Sequence, residues 1–464
     1  MKRTSVETSA EPLEAGNGQV GSKGGFRRLL RSRLVREISW SFVIRTARTG
    51  LVFLTTVMLA RLLGAEGYGI YAYAYALVTL IAIPVQSGLA ELMMRETARG
   101  MAEGRPELVR GVWQWMGRVV VLLLGVFVLL VGPVLVIWQG GLASISGQTM
   151  AWALVVLLFF GLGSLPGAAL RGLGRVVLGL VPEYVVGPGL LLVLVGGVAL
   201  VAREVLSPVV AMALHAGALL IAFGVGLRLW WRERPEAVRQ VRPCVETRGW
   251  LASGLIFGLM SGFAVVNSQA GTVLLGMFAE PEAVGVFRVA LQVAALASFA
   301  LQAVNLVVAP RFAELYAQGE MAKLERLAVG SARAVFAFNV VLTVGFVGVG
   351  RFFFEQVFGK EFAAAYGPLL VLLVGQMVNS AVGSVGYLLS MTGHERETAQ
   401  GMAVAAVVNV VLGLALIPWW GIYGASVATA VAMGVWNGIL WWRVRKRLQI
   451  ESWAFYRETE LSEQ

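Results

Sequence analysis

The sequence predicts an all-α polytopic membrane protein, and three features of its 464 residues lead to this fold class. Hydrophobic residues make up 58% of the chain and charged residues only 14%, against about 25% charged in an ordinary soluble domain. Apolar runs recur from residue 38 to residue 442 with no long hydrophilic interval between them. A run of about 20 apolar residues is long enough to cross a bilayer as a helix. We therefore expect about twelve transmembrane helices.

The predicted spans follow from counting about 20 apolar residues per crossing. A helix of this length satisfies every backbone polar group inside its own segment, which is the condition that lipid imposes. The twelve spans are expected near residues 39–62, 69–89, 113–137, 150–170, 176–201, 206–230, 250–278, 284–309, 331–350, 365–391, 398–418 and 421–442.

The distribution of basic residues predicts the orientation of these spans. Of the 38 lysines and arginines, 30 fall in the tails and the loops on one side, five fall on the other side, and three lie within spans. Loops rich in Lys and Arg stay in the cytoplasm, so both termini are expected there. The net charge of +11 is then explained by orientation and by attraction to anionic lipid head groups, and no nucleic-acid partner is expected.

The longest predicted cytoplasmic interval divides the chain into two halves of six spans each. The expected organisation is a basic cytoplasmic tail at 1–37 that is partly disordered, an N-terminal lobe at 38–230, a basic linker at 231–249, a C-terminal lobe at 250–442 and a cytoplasmic tail at 443–464.

An internal repeat supports this division. Residues 66–71 read EGYGIY and residues 282–287 read EAVGVF, which share the pattern E-x-x-G-aliphatic-aromatic at a distance of 216 residues. Six spans restore the side of the membrane, so the two repeats have the same orientation and are related by an axis along the membrane normal. Chance similarity between glycine-rich apolar strings is the alternative. The repeat predicts two six-helix lobes around a central cavity.

The rare residues exclude most enzyme chemistries. The 27 acidic residues are all Glu, and the chain has one Cys and two His, which leaves no CxxC or His-rich metal site and no Asp for a hydrolase triad. A nucleotide-binding loop requires the pattern GxxxxGK. The Gly-Lys pair at 359–360 has Phe354 in place of the first Gly. The sequence predicts no cofactor, no metal and no ATP hydrolysis.

Two arginines inside the first span are the most informative residues. Arg45 and Arg48 are three positions apart and share a helix face with Ser41, Thr49 and Thr56, because residues three and four apart lie on one side of a helix. In the alternative interpretation the span begins after Arg48 and both side chains reach the cytoplasmic surface. The 15 residues left would then cover only about 22 Å of a roughly 30 Å hydrocarbon core. We expect both arginines to face a cavity and to bind an anion, since the span contains no acid.

Four more polar residues within spans are candidates for the cavity. Arg288 and Gln292 lie one turn apart on the eighth span, but Arg288 is near its outer end and could equally reach the surface. Glu183 follows Pro182 and could pair with an arginine or carry a proton. Asn267 is consistent with either an interhelical hydrogen bond or a wet cavity.

Several motifs resemble those of a known family. Residues 59–71, LARLLGAEGYGIY, and the segment 91–98 resemble the N-terminal signature of the bacterial polysaccharide and oligosaccharide flippases. This family belongs to a superfamily that also contains the multidrug and toxin extruders and the lipid II flippases. VFGKEF at 357–362 and GIYGA at 421–425 are further matches, and the similarity extends over residues 38–447.

The resemblance implies a MATE-like transporter in the bacterial cytoplasmic, or inner, membrane. Its expected function is to flip a polyprenyl-pyrophosphate-linked oligosaccharide from the inner to the outer leaflet by alternating access, for cell-surface polysaccharide biosynthesis. Its expected partners are this lipid-linked anionic oligosaccharide, membrane lipids and other polysaccharide-assembly proteins.

The resemblance also implies roles for particular residues. Related flippases bind the pyrophosphate with cavity arginines, and the positions that match are Arg45, Arg48 and Arg288. The signature itself contributes residues that could be structural instead, namely Arg61, Gly64, Glu66 and Gly69.

Two other functions remain as alternatives. An ion-coupled multidrug extruder of the same superfamily would commonly have an acid in its first helix, and this chain has none there. A membrane glycan polymerase or ligase would normally need a sizeable outer loop with catalytic side chains, and the predicted outer loops are short.

Overall fold

A computed structural model describes residues 21–86 and 88–456, and within these residues it contains helices and no strands. Ten continuous helical stretches of the described residues are long and apolar enough to cross a membrane, and three of them combine α-helices with a π- or 3₁₀-helical turn. The predicted all-α polytopic membrane fold is therefore confirmed. The α-helices are α1 (Gly21–Ile81), α2 (Ile83–Gln86), α3 (Leu89–Ala102), α4 (Pro106–Val126), α5 (Gly132–Trp138), α6 (Ile145–Gly172), α7 (Val176–Val181), α8 (Gly187–Val201), α9 (Pro208–Glu233), α10 (Glu236–Gln240), α11 (Thr247–Phe278), α12 (Pro281–Ala317), α13 (Met321–Val357), α14 (Tyr366–Val382), α15 (Val385–Met391) and α16 (Glu395–Leu448).

The predicted tails are only partly covered by this description. Helix α1 begins at Gly21, inside the segment 1–37 that the sequence assigns to the N-terminal tail, and residues 1–20 lie outside the described residues. Helix α16 continues to Leu448, and the predicted C-terminal tail is described as far as residue 456.

Helices α1 and α16 each fold back on themselves at a glycine with a positive φ. Gly64 has φ 70° and Gly421 has φ 51°, a backbone region that disfavours residues with a side chain. In α16, the Arg447 Nε lies 2.7 Å from a Glu397 carboxylate oxygen, although an unbroken helix would separate these two residues by about 75 Å. Each of these helices therefore makes two passages, so the ten helical stretches make the twelve passages that the sequence predicts.

The helix bundle has two ends, which we name by the residues that they carry. We call the end that carries Trp40 and Leu448 the terminal end, and the opposite end, which carries the breaks at Gly64 and Gly421, the loop end. An even number of passages brings both ends of the described chain to the terminal end. The charge pattern predicts that this end faces the cytoplasm.

The two lobes meet at the loop end, where the repeated glycines cross. A Cβ atom at Gly69 would overlap the Pro281 carbonyl oxygen, and one at Gly285 would overlap the Ala65 carbonyl oxygen. Each glycine thus lets α1 and α12 approach backbone to backbone. The repeat found in the sequence marks the point where the two lobes touch.

Two of the family motifs also contact each other at the loop end. The Arg61 side chain of the first lobe donates to the Val357 carbonyl at 2.7 Å and to the Gln356 carbonyl. In return, Glu361 accepts a 2.9 Å hydrogen bond from the Ala65 backbone N–H. These bonds join the motif at 59–71 to the motif at 357–362 and hold the lobes together at this end.

The linker is fixed to the first lobe at the terminal end. The Cys244 backbone N–H donates to the Glu107 carbonyl at 2.9 Å. The Arg110 guanidinium donates to the carbonyls of Arg239 and Val241 at 2.7 and 2.6 Å. The linker therefore packs as part of the N-terminal lobe as far as Cys244.

Candidate functional site

Two cavities lie between the helices that the informative residues occupy. We call the cavity nearer the loop end the upper cavity and the one nearer the terminal end the lower cavity. The upper cavity has a volume of about 320 Å³. It is lined mainly by α1, α6, α8, α9 and the segment between α7 and α8, with additional residues from α11 and α12. The lower cavity has a volume of about 440 Å³ and lies between α1 and α7 of the first lobe and α12 and α15 of the second.

The two arginines of the first span serve different cavities. Arg48 lines the upper cavity and Arg45 lines the lower one. The polar stripe of α1 continues along both, with Thr56 in the upper cavity and Thr49 in the lower. The same face of α1 therefore runs along both cavities and places one guanidinium group in each.

A single aromatic ring lies against both arginines. The guanidinium carbons of Arg45 and Arg48 are 5.6 and 4.6 Å from the centroid of the Tyr184 ring, within the range of a cation–π interaction. Among the described residues, neither guanidinium forms a salt bridge or donates a hydrogen bond. Their N–H donors are therefore available to an anion.

A π-helical segment, Pro182–Val186, places Tyr184 and its neighbour. Such wide turns are rare and often occur at functional positions. Pro182 has no backbone N–H, so it cannot donate the hydrogen bond that a regular α-helix would require at this position. Glu183 lines the upper cavity, while Tyr184 lies against the arginines of α1. This segment thus contributes an acid and an aromatic ring to adjacent parts of the site.

The second lobe completes the upper cavity with three polar side chains. Arg288 and Gln292 line it from α12, and Gln269 lines it from α11. Arg288 donates a 3.0 Å hydrogen bond to the Gln269 side-chain oxygen. Of the two positions that the sequence left open for Arg288, the structure shows the one in the cavity wall.

The aromatic wall of the upper cavity is not among the site residues predicted from the sequence. Tyr68, Tyr71 and Tyr75 all line it from the second passage of α1, and the Tyr71 hydroxyl lies 2.8 Å from the His215 Nδ1. The spacing of these tyrosines, three and then four residues, indicates one helix face and could have predicted them. Nothing in the local sequence predicts that Tyr184 contacts α1, because that contact is tertiary.

Some predicted candidates lie outside both cavities. The Asn267 side chain donates to the Met402 carbonyl at 3.1 Å, and its backbone carbonyl accepts from Asn409 at 3.1 Å, so it links α11 to α16. The signature residues are at the loop end instead: Arg61, Gly64 and Gly69 lie in the contact between lobes, and Glu66 is exposed.

The charges of the site suit an anionic ligand. The upper cavity is lined by two arginines and, among the described residues, by one acid, Glu183, and Arg45 adds a third positive charge in the lower cavity. Guanidinium groups bind carboxylate and phosphate oxygens through paired donors and stay charged at any relevant pH.

Similar proteins have been described. One is the probable low-salt glycan biosynthesis flippase Agl15 of Haloferax volcanii, which is 23% identical over 87% of this chain and 81% of its own length. Among solved structures, the lipid II flippase MurJ in an inward closed conformation has a TM-score of 0.69 at 9% identity, covering 89% of this chain and 87% of that one. An inward-facing multidrug resistance MATE family transporter has a TM-score of 0.68 at 15% identity, covering 87% and 94%.

These two structures share their fold with this chain, which supports the predicted MATE-like architecture. The family described as polysaccharide biosynthesis protein matches residues 34–316, more than half of the chain, so the family resemblance seen in the sequence is confirmed. The chain belongs to the polysaccharide biosynthesis protein family.

Proposed function

We propose that this protein flips a polyprenyl-pyrophosphate-linked oligosaccharide from the inner to the outer leaflet of the cytoplasmic membrane. The comparisons support a flippase of glycan biosynthesis. The family is one of polysaccharide biosynthesis, the relative from Haloferax volcanii is named a flippase, and the structural neighbours are a flippase and a transporter. The chain is thus a membrane flippase of glycan biosynthesis and not an enzyme.

The observation that carries the diphosphate as substrate is the pair of guanidinium groups on α1, which have no ionic partner among the described residues. Arg45 and Arg48 lie in cavities between the lobes, and among the described residues no carboxylate neutralises them. An arginine in a membrane span is costly without a reason, and a diphosphate supplies the missing negative charge. The cationic cavity disfavours a cationic drug as substrate.

The geometry suggests an order of events. The lobes are joined at the loop end by the Arg61 and Glu361 hydrogen bonds, while the lower cavity lies between them nearer the terminal end. If the terminal end faces the cytoplasm, the diphosphate enters from the inner leaflet and binds Arg45 and Arg48, and the prenyl chain stays in lipid. Separation of the loop-end contact then releases the head group outside.

The test is a flipping assay with the full chain in proteoliposomes. A fluorescent polyprenyl-diphosphate oligosaccharide is incorporated, and its appearance in the opposite leaflet is followed with a membrane-impermeant quencher. Each hydrogen bond to a charged group contributes about 1.5–3 kcal/mol, so the double variant R45Q/R48Q should lose at least about tenfold in flipping rate. R45K/R48K should retain part of the rate, because the charge remains and the paired donors do not.

The matched control is R118Q, which removes the exposed Arg118 of α4, a residue outside both cavities. It should flip at the normal rate. Unchanged flipping by well-incorporated R45Q/R48Q would contradict the proposal, and export of a cationic dye by the same vesicles would favour a multidrug extruder.

A further inference from the structure

We propose that Tyr184 is a positioning residue that holds Arg45 and Arg48 as a matched pair, and that this pair makes the site select a diphosphate over a monophosphate. The inference rests on the proposed function, since it concerns the same site. It adds the residue that organises the site and the phosphate class that the site prefers.

Both guanidinium groups lie within 5.6 Å of one ring centroid, although their side chains open into different cavities. Arginine side chains are long and lose considerable rotamer freedom when they are fixed. Neither has an ionic partner among the described residues, and the Tyr184 ring is a contact that the two side chains share. The ring attracts the two cations through its face and leaves their N–H groups free.

Two restrained guanidinium groups suit a ligand with two phosphoryl groups. Each guanidinium can bind one phosphoryl group through two parallel hydrogen bonds, and a diphosphate offers two such groups on one bridging oxygen. A monophosphate can engage only one guanidinium fully in this way. The second guanidinium then remains without an anion in the cavity, so the difference in affinity depends on the two groups being held together.

The position of the pair also separates the two ends of the ligand. Arg48 faces the upper cavity with its tyrosines and glutamines, and Arg45 faces the lower cavity, where Phe42, Phe299 and Leu306 supply apolar surface. A diphosphate bound by the pair would extend its polar glycan upward, while its prenyl chain passes the apolar side chains of the lower cavity and stays in lipid beyond them. A single phosphoryl group on either arginine would not span this junction.

The test measures the selectivity directly with inorganic pyrophosphate and inorganic phosphate as probes. Their affinities for the full chain in nanodiscs are determined by calorimetry for the wild type, Y184L and Y184F. We expect the wild type to prefer pyrophosphate by about tenfold or more, as one additional charge-assisted interaction implies. Y184L should lose most of this preference, and Y184F should keep it, because the phenyl ring retains the face that attracts cations.

The matched control is F336L, which removes a ring that packs on Phe455 and lines neither cavity. It should leave the preference unchanged, and thermal unfolding of all variants separates misfolding from altered selectivity. The proposal is overturned if the wild type binds both anions equally, if Y184L keeps the wild-type preference, or if Y184F loses it as Y184L does. If Y184L keeps the preference while R45Q/R48Q stops flipping, the role of Tyr184 fails and the proposed function stands.

Discussion

Replacing Gly69 with alanine should shift the protein toward a conformation that is open at the loop end. A Cβ at this position would overlap the Pro281 carbonyl oxygen and lie 2.6 Å from its carbon. Ordinary van der Waals contact begins at 3.4 Å. To bring the Cβ from 2.6 Å to that distance from the Pro281 carbonyl carbon, α1 and α12 must move apart by at least about 0.8 Å. Overpacking of this kind costs about 1–3 kcal/mol, and only the closed arrangement incurs it. A coupling energy of this size corresponds to about a 5- to 150-fold change in the ratio of closed to open molecules.

The assay is a distance measurement by pulsed electron spin resonance. Spin labels are attached at Glu204 of the first lobe and Arg351 of the second, both exposed near the loop end, after the free Cys244 has been replaced with serine. G69A should add or enlarge a population with a longer distance. The control is G197A, since a Cβ there would have no atom within 4 Å. If G69A and the wild type give the same distance distribution, the close approach does not maintain the closed state and the reasoning is refuted.

Two further predictions concern stability, measured by thermal unfolding of the purified protein. E397Q should lower the melting temperature because buried Glu397 binds Arg447 at 2.7 Å and Arg443 at 3.4 Å, and hydrogen bonds to charged groups contribute about 1.5–3 kcal/mol. An equally large effect of E314Q, which affects an exposed pair, would contradict this. G421A should cost about 1–3 kcal/mol in backbone strain, because its combination of φ 51° and ψ −123° is readily adopted only by glycine. G434A, in a regular helical segment with open space around it, should cost nothing or stabilise. Equal effects of the two variants would exclude strain.

The number of passages and their grouping could be predicted from the sequence because both depend on local properties. The apolar sequence of α1 is long enough for two crossings, so two passages can be predicted by counting residues. The structure adds that Gly64 is the residue where the chain turns. The ends of the helices could not be predicted equally well. The eighth span was expected at 284–309, but α12 extends over Pro281–Ala317, since a helix does not have to end where the hydrocarbon ends.

The site could be predicted only where a residue is unusual for its surroundings. Arg45 and Arg48 are conspicuous in an apolar span, so their placement in cavities was expected from the cost of a charge in lipid. Tyr184 is an ordinary residue for a membrane helix, and its importance depends on a contact with α1 and on a π-helical turn. Contacts between helices that are distant in the chain leave no periodic signal, so sequence patterns do not predict them.

The attachment of the linker to the first lobe determines how far the lobes can separate at the terminal end. The last linker bond to that lobe is at Cys244, and α11 of the second lobe begins at Thr247. The free connection is thus only a few residues, which span at most about 3.3–3.6 Å each when fully extended. This short covalent connection limits the distance between the lobes at the terminal end, while it still allows one lobe to rotate relative to the other. An insertion of flexible residues between Cys244 and Thr247 would lengthen this connection without changing a residue of either cavity.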